Sequence, residues 1–146
     1  MGYSFDFLND HVVVCGFGRM GRAVCDELRR QSMAFVVIES DQDRFHDLLE
    51  IGYQGLSGRP SAEENLRDAG IERARCLIAT LDGGSGNVVV AQAARRLNAD
   101  VEIVAHSDRE EDAKMLLLAG ANRVITPITV GAREIARAAS RPSAPL

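Results

Sequence analysis

The 146-residue chain has no apolar run approaching the roughly 18 residues that a membrane-spanning helix needs. Its first ten residues, MGYSFDFLND, lack the basic and apolar regions of a signal peptide. Positive charge is in deficit: 17 Lys and Arg stand against 21 Asp and Glu, a net charge of −4, which argues against a general nucleic-acid binder. Cys15, Cys25 and Cys76 are far apart and form no CxxC, so they read as small core hydrophobes in a reducing compartment. The three histidines show no metal-ligand spacing. Nothing supplies a catalytic dyad, a nucleophile or a metal site. A dehydrogenase needs a second region that holds substrate beside its cofactor. After the last expected strand only about 20 residues remain, so the chain reads as a binder of its ligand rather than an enzyme.

What is present centres on VVVCGFGRMG, residues 12–21. Four apolar residues, Val12 to Cys15, run into Gly16-x-Gly18-x-x-Gly21. A helical pattern follows, with Met20, Ala23, Val24 and Leu28 expected on one face. This is a strand, a tight turn and a helix N-terminus. Gly16 permits the turn, Gly18 lets a pyrophosphate approach the backbone, and Gly21 lets the helix pack on the strand. The first helical N–H groups have no partner within the helix and, with the helix dipole, favour an anion. A second strand, Phe35 to Glu39, ends at an acid about 20 residues beyond the glycines, where the ribose-binding carboxylate of a dinucleotide fold belongs.

The remainder alternates strand and helix. Residues 1–10 read as a lead-in whose Phe5, Phe7 and Leu8 pack on a neighbour or remain from a linker. Asp41 caps a helix whose Phe45, Leu48 and Leu49 share a face and which Gly52 ends. A short strand, Tyr53 to Leu56, precedes a helix with a Ser61/Glu64 capping box, closed by Gly70. The fourth strand, Cys76 to Leu81, reaches the loop Asp82 to Gly86 and a helix from about Asn87 to Leu97. The fifth, Val101 to Ala105, ends at His106. Asp108 and Glu111 cap a helix with Ala113, Leu116 and Leu117 on one face, stopped by Gly120. The sixth, Arg123 to Thr126, leads through Pro127 to a last helix, Val130 to Ala139, and residues 141–146 form a frayed tail. Short continuous apolar strands suit a parallel sheet buried on both faces. The right-handed crossover rule then gives a single α/β domain over 11–140: a Rossmann-like, doubly wound, six-stranded parallel sheet in the order 3-2-1-4-5-6.

Ligands of such a sheet bind beyond the strand C-termini, between the first and fourth strands. The candidates there are Gly16, Phe17, Gly18, Arg19, Met20 and Gly21; Glu39, Ser40 and Asp41; Thr80, Leu81 and Asp82; and His106. Glu39 can accept both ribose hydroxyls and repels a 2′-phosphate, which favours NAD(H) or an adenine nucleotide over NADP. Arg19 can reach phosphate or stay solvated, Asp41 can support ribose or act only as a cap, and His106 can line the pocket or be bland. The helices around Val88 to Ala94 and Leu116 to Leu118 are apolar over more than the roughly 100° stripe one sheet covers. Their small alanines suit close helix–helix approach, and the last helix offers Ile128, Ala132, Ile135 and Ala136. A homodimer or larger homo-oligomer is therefore expected.

The segments HVVVCGFGRMGRAV, VVIESDQDR, AGIERARCLIATLD, Asn87 with AQAARRLN, VEIVAH and LLLAGANRVITP together resemble the RCK domain, the regulator of K+ conductance, also called the TrkA-N or KTN domain. The likeness runs from His11 to about Ala139. The Gly120-Ala121-Asn122, Val124-Ile125, Pro127 pattern is its most telling part. The resemblance implies a cytoplasmic regulatory module of a membrane-embedded K+ channel, K+ uptake system or antiporter. It implies NAD(H), ATP, ADP or AMP in the cleft, with Gly16, Gly18, Arg19 and Gly21 at phosphates, Glu39 at ribose, and Thr80 and Asp82 on the fourth-strand loop. It also implies that ligand changes the angle between paired lobes and that the last helix crosses to a partner lobe.

Two departures stand out. Gly58 is followed by Arg59 where the family often has Asp, and Asp82 is followed by glycines where it often has acids. Both remove carboxylates from a hard-cation site, so no Ca2+ site is expected. The family's C-terminal lobe is not seen after Ala139, which suggests an excised N-terminal lobe. The reading from another class is the NAD-binding domain of an oxidoreductase lacking its catalytic half. A Rossmann lobe that binds no ligand is a third.

Overall fold

The computed structural model describes residues 5–83 and 85–141. Gly84 of the glycine-rich loop, the first four residues of the expected lead-in, and residues 142–146 of the expected tail lie outside the described residues. Six strands form the sheet: β1 (Val12–Cys15), β2 (Phe35–Glu39), β3 (Gly55–Ser57), β4 (Cys76–Ala79), β5 (Glu102–His106) and β6 (Arg123–Ile125). All pairings are parallel and the order is β3-β2-β1-β4-β5-β6, as the crossover rule requires. The helices are α1 (Arg19–Arg30), α2 (Gln42–Ile51), α3 (Glu63–Asp68), α4 (Gly86–Leu97), α5 (Ala113–Ala119) and α6 (Pro127–Ala139).

β1 shows why this sheet has two cores. Its four residues are all buried, and successive side chains point to opposite faces. Val12 and Val14 meet Cys25 and Leu28 of α1 and Leu48 of α2. Val13 and Cys15 belong to the core on the other face, with Leu66 of α3, Val90 of α4 and Leu116 of α5. Its neighbours are β2 on one side and β4 on the other, with Val13 opposite Val36 and Leu77. The C-terminal ends of β1 and β4 therefore open between two diverging sets of helices, at the switch point.

Local chemistry moves several expected boundaries. β3 begins at Gly55 because Tyr53 leaves the ladder: its ring packs edge-on against Phe17 and Phe35, and its hydroxyl donates to Asp26 at 2.5 Å. β4 ends at Ala79, since the Leu81 backbone is taken up by the Asn87 side chain. The Ser61/Glu64 box does not form. α3 starts after Ala62 with no side-chain cap, and Asn65 donates instead to the Arg59 carbonyl, stabilising the turn before it. Asp108 and Glu111 do not cap α5 either; a 3-10 turn at Glu110–Asp112 intervenes, and Ser107 Oγ accepts from the Arg109 N–H. α6 starts at Pro127 rather than Val130, because proline's missing N–H costs nothing in a first helical turn.

Side-chain faces also differ in places. Ala23 on α1, Leu49 on α2 and Leu117 on α5 are exposed, while Cys25, Leu48 and Leu116 occupy the inward positions. Phe5 and Leu8 are buried in the core with α3 and α4, whereas Phe7 is exposed. Arg73 fixes that segment by donating to the Phe5 and Leu8 carbonyls. Ala93 and Ala94 are 0% exposed and face the sheet, so they are not available for approach by a second copy. Apolar side chains do stand outside: Met115 and Leu118 on α5, and Ile128, Val130 and Ile135 on α6.

Candidate functional site

The glycine turn is held by interactions specific to each position. Gly16 has φ of +103°, a left-handed conformation that side chains rarely adopt. A Cβ on Gly21 would run into the Gly16 carbonyl, so α1 can lie this close to β1 only with glycine there. Thr80 Oγ1, buried at the end of β4, sits 2.9 Å from the Cys15 carbonyl oxygen and 3.2 Å from that of Gly16. This ties the turn to the neighbouring strand.

Glu39 is 4% exposed, yet it carries no cationic partner among the described residues. Its charge is held by backbone donors. Phe17 N–H donates to Oε1 at 2.7 Å, and Asp41 N–H donates to Oε2 at 2.8 Å. Charge-assisted bonds of this kind are about twice as strong as neutral ones. The carboxylate thus clasps the glycine turn to the β2–α2 turn, and each oxygen retains a second lone pair.

α1 itself starts open. Its N-cap is Gly18, which has no side chain to accept from the first N–H groups, and no acid lies in the first turn. α2 starts closed, because Asp41 Oδ1 accepts from the Arg44 N–H at 3.0 Å. An anion suits the open start: the N–H groups and the helix dipole both favour it.

Of the expected residues, Gly16, Gly18, Glu39, Ser40, Asp41, Thr80, Leu81 and Asp82 line one cleft of about 560 Å³. Arg44, Gly83, Ser85 and Gly86 complete its walls. Arg44 escaped the motif reasoning. The signal for it was its place in the first turn of a helix that begins directly after Glu39. Phe17 contributes only its backbone and turns its ring into the core against Tyr53. Arg19 is exposed and Met20 half-buried, and neither lines the cleft.

His106 lines a second cavity of about 410 Å³ beside the first, with Leu81, Gly83 and Ser85 common to both. Its Nε2 faces Asp108 Oδ1 at 3.2 Å, and its buried Nδ1 has no partner. Asn87 separates the two strand ends, donating to the carbonyls of Leu81 and His106 and accepting from Leu81 N–H.

None of the three cysteines is activated. Burial pushes the Cys25 thiol up to about 12 and Cys76 to about 11, and raises Cys15 further. Among the described residues no group of three or more His, Cys, Asp or Glu is arranged to hold a metal ion, and no helix is long and apolar enough to cross a membrane.

The sequence profile described as the TrkA-N domain matches residues 12–127, from the first strand to the proline that opens α6. The chain belongs to the TrkA-N domain family. It is 34% identical over 137 residues to Potassium channel protein 1 of Methanocaldococcus jannaschii, covering 92% of this chain and 41% of that protein. This TrkA-N chain therefore spans about two-fifths of the length of that curated relative. Among solved structures it resembles the TrkA-N domain of the inner membrane protein YbaL from Escherichia coli, with a TM-score of 0.78 and 31% identity over 90% of this chain and 95% of that one. It also resembles the GsuK channel bound to NAD, with a TM-score of 0.76 and 27% identity over 85% of this chain and 22% of that one. A structure of GsuK bound to ADP is similar as well, at 25% identity over 86% of this chain and 33% of that one, with a TM-score of 0.76.

Proposed function

We propose that this TrkA-N domain is a cytoplasmic sensing lobe of a K+ channel, K+ transporter or cation antiporter, and that it binds NAD(H) or an adenine nucleotide to regulate transport rather than to catalyse a reaction. The carrying observation is the open N-terminus of α1 at the floor of a cleft whose glycine turn is clasped by Glu39. Gly16 to Gly21 surround the phosphates, with Arg19 and Met20 at the rim. Glu39, Ser40 and Asp41 face the ribose. Thr80, Leu81 and Asp82 form the opposite wall, and His106 lies where the far half of a dinucleotide would extend. The NAD- and ADP-bound GsuK structures support this ligand class, and the potassium-channel relative supports a membrane partner.

The exposed apolar side chains of α5 and α6 support assembly. A homodimer covering Met115, Leu117 and Leu118 would remove them from water, and α6 would reach toward a further lobe or protomer. Ligand would then act by altering how paired lobes meet.

Calorimetry with NADH and NADPH tests the ligand assignment. NADH is expected to bind with a dissociation constant of about micromolar order, with NADPH weaker because Glu39 meets the 2′-phosphate. NADPH binding tighter than NADH contradicts the ribose assignment.

A further inference from the structure

Arg44 and Asp82 reach across the cleft from opposite walls and meet directly above Gly18. Arg44 Nη2 is 3.5 Å from Asp82 Oδ2. A Cβ on Gly18 would lie 2.8 Å from Asp82 Oδ2 and 3.5 Å from Arg44 Nη1. A carboxylate thus occupies the space through which a phosphate must approach the backbone of Gly18. Two oxyanions do not share that space, because like charges so close repel strongly. The guanidinium is the only cation among the described residues lining the cleft, and its planar fork matches a phosphate as well as a carboxylate.

We propose that the Arg44–Asp82 ion pair is exchanged on binding: the ligand's phosphate replaces the Asp82 carboxylate over Gly18, and Arg44 transfers to the phosphate. The inference rests on the nucleotide reading above. It adds that Arg44 selects phosphorylated ligands and that Asp82 competes with them. The pair is suited to exchange. Both side chains are about half exposed, with 48% and 58% of their surfaces in contact with water, so neither is locked in place by burial. Arg44 keeps its backbone fixed through the Asp41 cap, so only its side chain must turn. Asp82 precedes Gly83, whose φ of +65° marks a turn that lets the loop direct the carboxylate elsewhere.

The test is calorimetry of wild type, Arg44→Gln, Asp82→Asn and the double variant with ADP and with adenosine, at one fixed low ionic strength. Unchanged melting temperatures establish that the variants are folded, as expected at exposed positions. Arg44→Gln is expected to weaken ADP about tenfold, and Asp82→Asn to tighten it about threefold. The Asp82→Asn gain should shrink in the Arg44→Gln background, because the pair is already broken there. Adenosine affinity should change by less than about twofold in every variant, since no phosphate is present to be read. ADP effects that simply add, or adenosine effects as large as those for ADP, overturn the exchange while leaving the nucleotide reading intact. A folded wild type that binds neither ADP nor NAD+ overturns both.

Discussion

Two helices begin at neighbouring strand ends, and they begin differently. α2 brings its own acceptor: Asp41 sits at its N-cap and takes the Arg44 N–H. α1 begins at Gly18, with no side-chain cap and no acid in its first turn. Glu39 stands between them, one oxygen on Phe17 N–H and the other on Asp41 N–H, so a single carboxylate sets the relation of both turns. The start of α2 is completed by its own sequence, whereas the first N–H groups of α1 have no side-chain acceptor. Caps are the usual way to satisfy the first N–H groups. The uncapped N–H groups of α1 lie beneath the cleft, beside a turn whose Gly16 has φ of +103°, and such a start favours an anion.

The strongest way to break this contrast is to change the glycine that lets α1 approach β1. Gly21→Val would drive a side chain into the Gly16 carbonyl, where backbone must shift, and should cost about 3 kcal/mol or more. Chemical denaturation will show it, and a variant as stable as wild type would mean the turn has slack that its geometry denies.

Removing the completed start is a smaller change. Asp41→Ala deletes the cap of α2 and should destabilise the domain by about 1 kcal/mol in the same assay. An unchanged midpoint would show that the exposed cap contributes nothing.

A change remote from both starts sharpens the comparison by acting on stability alone. His11 at the head of β1 is 0% exposed; its Nε2 lies 2.7 Å from the Ala69 carbonyl oxygen and donates to it in the matching tautomer. Burial is the main cause that lowers its pKa from 6.5, with Arg73 adding to the effect. The unfolded chain therefore takes up a proton at higher pH than the folded one. The contribution to stability is present above pH 6.5 and is lost as pH falls through the lowered folded value. His11→Gln should flatten the acid side of the stability profile relative to wild type, with ADP affinity at neutral pH unchanged. Parallel wild-type and variant profiles would exclude His11 as the source.

The smallest effect on stability is the most telling for function. Gly18→Ser supplies α1 with the cap it lacks. Its Cβ displaces only the half-exposed end of Asp82, so the fold should stay within a few tenths of a kcal/mol of wild type, while ADP weakens because the N–H groups are occupied. Loss of stability together with retained affinity would reverse the argument.

The sheet was readable because its strands are short continuous apolar runs and each helix carries a face at helical spacing; alternation and the crossover rule then leave one strand order. The glycine turn and Glu39 were readable because both are fixed by spacing to a strand end. Other features depended on partners distant in sequence. Tyr53 leaves the sheet for Asp26 and two aromatic rings, and Asn65 replaces Ser61 in ordering the turn before α3. Both results follow from tertiary competition for the same groups. Arg44 was missed for a related reason: its meeting with Asp82, 38 positions away by sequence number, exists only once β2 and β4 flank β1. The alanines of α4 read as a surface because helical periodicity locates an apolar stripe without saying how wide the sheet beneath it is. Here the sheet covers Ala93 and Ala94, and the uncovered apolar groups lie instead on α5 and α6.

The central claim is that the open start of α1 receives the phosphates. Amide chemical shifts of ¹⁵N-labelled protein titrated with ADP test it most directly, residue by residue. The largest changes are expected at the amides of Gly18, Arg19, Met20 and Gly21, where N–H groups gain a charged acceptor. Changes in α5 and α6 should be smaller and should accompany those of the glycine turn, as a shift between paired lobes requires. Changes centred on His106 to Leu118, with the Gly18 to Gly21 amides unmoved, would place the ligand in the neighbouring cavity and contradict the account.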